Sequence, residues 1–195
     1  MTAVRKLPGV LCLEGEWNPE EPTSRMTIEP ALELLERTEY LKVFHRNVNT
    51  LGELYFHLDR WGTKDFKEYQ FLYLGFHGES EVIYIGDEPL GLDQLGRRLE
   101  GQWAGKIVFL SSCGALDSPE HSLKSFCKRT GADAVVGYTA VVDFVEAAAF
   151  ELLLFGEMTV MSSPKRMYTK VTREYGELAS RLGFRVATRS WASDL

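Results

Sequence analysis

Short apolar runs recur along the chain, each closed by small, polar or charged residues, and most are followed by a stretch with helical spacing. Val10 to Glu16 (VLCLEGE) is predicted as a first strand ending in acidic residues. Residues 18–30, rich in Pro, Glu, Ser and Thr, read as an exposed loop. Pro30 to Glu39 places Ala31, Leu34 and Leu35 at i, i+3, i+4 spacing, with Pro30 suited to a first turn, which predicts a helix. Leu41 to Phe44 follows as a second strand. Thr50, with Glu53 three positions on, has the form of a capping box for a helix reaching Trp61, whose apolar face is Leu51, Leu54, Tyr55, Leu58 and Trp61.

Phe71 to Gly75 (FLYLG) is predicted as the third strand and leads into Phe76, His77 and Gly78. Glu81 to Leu90 alternates differently and predicts a hairpin with Gly86-Asp87 at its turn. A short helix, Leu92 to Leu99, precedes Ile107 to Leu110, a run rich in β-formers between Gly105 and Ser111-Ser112. Ser118 to Thr130 predicts a helix capped by Ser118 and ended by Gly131. Ala134 to Tyr138 is the fifth strand, Asp143 to Glu157 a strongly apolar helix against the sheet, Ser163 to Leu182 an outer helix, and Phe184 to Thr188 a sixth strand. Strands alternating with helices predict an α/β fold, a largely parallel sheet of about six strands covered on both faces. Without an internal repeat, low-complexity tract or dividing linker, residues 1–195 read as a single domain.

The net charge of −6 argues against a general nucleic-acid binder. Cys12, Cys113 and Cys127 are odd in number and form no CxxC pair, so a disulfide framework and a zinc ribbon are poor readings, no metal is expected, and a reduced, cytoplasmic location is. The N-terminal MTAVRKLPGVLCLEG is too interrupted for a secretory signal peptide, and no apolar run of about eighteen residues predicts a membrane span.

The chemistry lies in the two strand ends. A parallel sheet presents its ligand-facing edge at the carboxyl ends of its strands. Neighbouring strands tipped by His77 and Cys113 would bring an imidazole and a thiol together there. A thiol attacks a carbonyl as thiolate, and an adjacent imidazole can take its proton and return it to the leaving amine. Gly78 and Gly114 leave the backbone bare beside the reacting carbon, with N–H groups placed to serve as oxyanion donors.

Four motifs in order carry a family resemblance: YLGFHG at 73–78, EVIYIGDEPLGLDQL at 81–95, VFLSSCGA at 108–115 and SLKSFCKRTGADAVVGYTAVVDFVEAAAF at 122–150. Over residues 71–157 the chain resembles the CHAT domain of the caspase-like (clan CD) cysteine peptidases. The resemblance implies a caspase-hemoglobinase three-layer sandwich and an endopeptidase that needs no cofactor, with His77 as general base, Cys113 as nucleophile and Gly78 contributing to the oxyanion hole. Family substrate pockets are built from the ends of the first, fourth and fifth strands, which here implies Glu14, Glu16, Ser111, Thr139 and Asp143. Asp143, on the family's Val-x-Asp motif, would favour a basic residue in a protein or peptide substrate. Two departures stand out. Tyr138-Thr139-Ala140 replaces a usual tryptophan, and the helical repeats or sensor modules of many members are missing, which implies that any activating switch is a separate protein. The setting implied is bacterial regulated proteolysis or defence. Two other readings stay open: a non-catalytic caspase-like interaction module, and a Cys-dependent hydrolase of a small amide or ester.

Overall fold

In the computed structural model, residues 6–21 and 23–194 are described; residues 1–5, part of the N-terminal stretch read above against a signal peptide, lie outside them. Nine strands follow in chain order: β1 (Gly9–Glu14), β2 (Lys42–Asn47), β3 (Tyr69–Gly75), β4 (His77–Glu79), β5 (Val82–Ile85), β6 (Glu88–Gly91), β7 (Ile107–Ser111), β8 (Ala134–Tyr138) and β9 (Phe184–Ala187). The main sheet has the order β2-β1-β3-β7-β8-β9, parallel throughout except that β9 runs antiparallel to β8. Strands β4, β5 and β6 form a separate antiparallel sheet.

Among the described residues seven α-helices cover the main sheet: α1 (Glu29–Arg37), α2 (Leu51–Trp61), α3 (Leu92–Arg98), α4 (Glu120–Thr130), α5 (Phe144–Met158), α6 (Pro164–Glu174) and α7 (Gly176–Arg181). The strand period of two sorts the core into two layers. Leu11, Leu13, Leu72, Leu74, Val108 and Leu110 pack with α2, α3 and α4 on one face. Val10, Cys12, Phe71, Tyr73, Phe109 and Val136 pack with α1, α5, α6 and α7 on the other. The result is a mixed α/β fold with helices on both faces of a six-stranded, mostly parallel sheet.

Several element ends differ from the sequence reading, each for a local reason. Strand β2 runs on to Asn47 because, as an edge strand, it tolerates His45, Arg46 and Asn47, which break an apolar run. The hairpin turns at Gly86, as predicted, with φ of 58°, but gains β4 as a third strand. The outer helix predicted over 163–182 breaks at Tyr175 (φ −127°, ψ 33°), where Gly176 begins α7. Helix α4 starts after Pro119, and Ser118 does not cap it; its hydroxyl donates instead to Glu81 Oε1 at 2.5 Å. Gly131 ends α4 in the left-handed conformation (φ 83°), as expected of the one residue type without a Cβ penalty there. At α2, Thr50 accepts from the Glu53 N–H, while Glu53 accepts from the Asn49 N–H.

Candidate active site

The strand order reverses between β1 and β3, since the chain passes from β1 to β2 on one side and β3 lies on the other. A crevice at such a switch point, beyond the carboxyl ends, is where open α/β sheets hold ligands. His77 follows β3 after a single residue and opens β4; Cys113 lies in the turn after β7, the strand beside β3.

Gly78 brings these two segments into direct contact. A Cβ placed on it would lie 2.8 Å from Ser112 Cβ, closer than real Cβ atoms approach, and a tight 3.0 Å from the carbonyl oxygen of Cys113. The missing side chain is therefore what lets the His77-Gly78 strand lie against the Ser112-Cys113 turn. Nearby, Ser80 Oγ donates to the Asp117 carbonyl at 2.6 Å, joining the two segments again, while Arg185 Nη1 of β9 donates to the carbonyls of Leu116 and Ser118 at 2.9 and 2.5 Å and ties that turn to β9.

The imidazole of His77 is held from the β1 side. Its Nε2 lies 3.0 Å from the backbone carbonyl oxygen of Trp17. A carbonyl only accepts, so Nε2 carries the proton and Nδ1 is the basic nitrogen. The indole of Trp17 packs edge-on against the His77 ring at 5.5 Å and against Phe144 at 5.4 Å. Glu14 fixes that indole. Its carboxylate accepts from Trp17 Nε1, from Ile28 N–H at 2.8 Å, from Thr27 Oγ1 at 2.6 Å and from His45 Nε2 at 2.8 Å.

On the thiol side, Cys113 is half-buried, and its Sγ accepts from the Val142 N–H at 3.5 Å. Cys12 and Cys127 are buried; burial pushes the Cys12 thiol well up, with the Glu14 charge adding to it, and the Cys127 thiol up to about 12. Gly114 has φ of 63°, and its N–H is taken by the Ala140 carbonyl at 2.9 Å, so it is not free as an oxyanion donor. The Cys113 N–H has no acceptor among the described residues.

The remaining predicted residues scatter. Glu14, 1% exposed, has its carboxylate filled by the four donors above and faces the interior. Ser111 is buried, and its hydroxyl donates to Glu151 Oε1 at 2.7 Å on the α5 face. The Thr139 N–H and hydroxyl both donate to the Gly183 carbonyl, at 2.9 and 3.2 Å, tying the end of β8 to the start of β9. Asp143 is exposed and caps α5, its Oδ1 accepting from the N–H groups of Val145 and Glu146 at 2.9 and 3.0 Å. It lies next to Val142, on the loop over the thiol. Glu16 is exposed on the 15–28 loop and lines a cavity with Arg25, Thr27 and Asn47. His77, Gly78, Cys113 and Asp143 thus share one edge; Glu14 supports it from beneath, and Ser111 and Thr139 are engaged elsewhere.

Sequence reasoning missed Trp17, Val142 and Glu151. Val142 and the Trp17 carbonyl act as backbone groups, which carry no sequence signal. Glu14 and Ser111 were legible as interior positions, because Glu14 is in phase with Val10 and Cys12, and Ser111 with Phe109. Among the described residues no group of three His, Cys, Asp or Glu side chains is placed to hold a metal, and no helix is long and apolar enough to cross a membrane. Five surface cavities of about 300 to 770 Å³ have walls that include neither His77 nor Cys113.

Residues 8–187 match a family model described as a family of unknown function, DUF6642, and the chain belongs to that family. No curated protein matches it.

Proposed function

We propose that this chain is a caspase-like cysteine endopeptidase with a His77–Cys113 dyad. The observation that carries the reading is the contact of Gly78 with Ser112 and Cys113, which sets the histidine and cysteine segments side by side at the carboxyl ends of β3 and β7, next to the switch point of the sheet. The sheet order and the covering of both faces support a caspase-hemoglobinase architecture. The Trp17 carbonyl supports the assignment of roles, since it leaves His77 Nδ1 free to accept a proton.

The reaction follows from these groups. Nδ1 takes the Cys113 proton, and the thiolate forms a bond to the carbonyl carbon of the scissile peptide. The oxyanion is stabilised by the Cys113 N–H and by Gly78, the family's donor. Collapse breaks the C–N bond, and the imidazolium returns the proton to the departing amine. Water, deprotonated by the same imidazole, then cleaves the thioester. Asp143 Oδ2, not used by the helix cap, is available to a basic substrate residue. Val141 and Val145, 86% and 73% exposed, give the rim an open apolar edge suited to a peptide more than to an enclosed small molecule.

A second reading has its own support. The hydrogen bonds of His77 and Cys113 run to Trp17 and Val142, not to each other. That fits a dyad held at rest until a separate protein or the substrate brings it together, or a non-catalytic module that binds a partner through this edge. Labelling with an electrophilic peptide probe separates the two. The peptidase labels at Cys113, and Cys113→Ala and His77→Ala abolish it. A native protein that never labels, with or without a candidate partner, while its unfolded chain does, defeats the peptidase reading.

A further inference from the structure

Beneath the dyad lies a charged group that the proton transfers do not use. Glu151, 2% exposed, sits in α5 on the side facing the sheet. Three hydroxyls donate to its carboxylate, each from a different strand: Tyr73 of β3 to Oε2 at 2.9 Å, Ser111 of β7 to Oε1 at 2.7 Å, and Tyr138 of β8 to Oε1 at 3.1 Å. These three strands lead into the site: β3 into His77, β7 into Cys113, and β8 into the turn whose Val142 N–H reaches the sulfur. The surrounding layer is otherwise apolar, with Phe109, Phe150, Leu154 and Phe155. A buried carboxylate is a poor way to add stability, since an apolar residue of similar volume commonly does as well or better.

We propose that Glu151 is the positioning residue of the catalytic edge, one carboxylate that sets the three strand ends and through them the approach of His77 to Cys113. The proposal rests on the reading of those two residues as a dyad.

The chemistry of the cluster makes it a clamp with two states. An ionised carboxylate only accepts, so all three hydroxyls donate at once. Once the acid is protonated, one oxygen becomes a donor, and a hydroxyl that turns round to accept leaves its own proton unbonded in an apolar layer. Burial pushes the Glu151 carboxyl up to about 7; the hydrogen bonds from Ser111, Tyr73 and Tyr138 oppose this, and the Glu14 charge adds to it. The other ionisable groups acting in this cluster are the Tyr73 and Tyr138 phenols and the Cys12 thiol, all pushed up by burial and so neutral. The clamp is closed above neutral pH and loosened below it.

The test measures the rate of Cys113 modification in the full chain by the peptide probe and by iodoacetamide, across pH values either side of about 7. In the wild type the peptide-probe rate falls as pH drops through about 7, where the Glu151 carboxylate takes up a proton. Glu151→Gln, folded by circular dichroism, lacks the step near 7, and its rate above neutral pH is roughly 10- to 100-fold lower, as expected for slight misplacement of reacting groups. A folded Glu151→Gln with the wild-type rate and profile overturns the proposal. If Glu151→Gln does not fold, Tyr73→Phe and Tyr138→Phe, each removing one donor, carry the test, and wild-type rates and profiles in both overturn it. A wild type that reacts with iodoacetamide at Cys113 but never with the peptide probe defeats the dyad and not the clamp. The clamp then stands if the iodoacetamide profile loses one ionisation in Glu151→Gln, and falls if the profile is unchanged.

Discussion

The Nε2 of His77 and the carbonyl oxygen of Trp17 are 3.0 Å apart, and that bond decides which imidazole nitrogen is basic. Two supports hold the Trp17 side of it. One is the edge-on ring contact with His77; the other is the indole N–H donated to Glu14. Replacing Glu14 by Gln puts an amide N–H₂ among four donors, so at least one buried donor loses its acceptor. The expected cost is about 1–3 kcal/mol of stability. Peptide-probe labelling of Cys113 should fall with it, whereas His77→Ala should abolish labelling with little loss of stability, because His77 is exposed. Urea unfolding and labelling rates on the same samples check both.

Gly78→Ala should be worse than its size suggests. The added methyl meets Ser112 Cβ at 2.8 Å and the carbonyls of Cys113 and Val82 at 3.0 Å, two of the three contacts being backbone. Overpacking of this kind typically costs about 1–3 kcal/mol. Relief of the clash pushes β4 away from the Cys113 turn, so labelling should drop by more than the stability change accounts for. Wild-type labelling in Gly78→Ala would remove the contact as the basis of the site.

Asp143 allows its two roles to be separated. Asp143→Ala removes the cap on Val145 and Glu146 and should cost about 1 kcal/mol. Asp143→Asn keeps a capping oxygen and removes the charge, so stability should change by only a few tenths of a kcal/mol. If the carboxylate selects a basic substrate residue, Asp143→Asn loses that preference in a peptide library while folding normally. An unchanged preference in Asp143→Asn leaves the residue as a cap alone.

The stability of the protein should decline as pH rises from about 4.5 to about 7 because of Glu151, and level off above that. Its carboxyl is raised from 4.5 to about 7, so between those values the folded chain holds a proton that the unfolded chain has released. The favourable contribution is complete below the unfolded value and is lost as pH passes the folded one. At ~1.36 kcal/mol per unit this amounts to roughly 3 kcal/mol. Urea unfolding at several pH values, wild type against Glu151→Gln, isolates it; the difference should shift in favour of the variant between pH 4.5 and about 7 and stay constant above. Reactivity at Cys113 should move the opposite way, rising where stability falls.

The apolar runs determined every strand of the main sheet, and the alternation of strands with helical spacing determined that both faces are covered. Local signals also stood up where their chemistry is local: the Thr50 cap, the turn at Gly86 and the left-handed Gly131 each depend on a few adjacent residues. Strand β4, the polar half of β2 and the break before α7 were not legible, because pairing partners and edge position, not periodicity, decide them. At the site, the sequence alone determined that a histidine and a cysteine terminate two strands of like design. Only the tertiary structure decided that those strands are neighbours, that Gly78 closes the gap, and that a backbone carbonyl orients the imidazole. It also decided what Glu14 and Ser111 meet once strand alternation turns them inward: four donors for Glu14, and Glu151 for Ser111. Carbonyl and N–H groups are the same at every position, so what they hold is set by where the chain passes and not by which residue passes there.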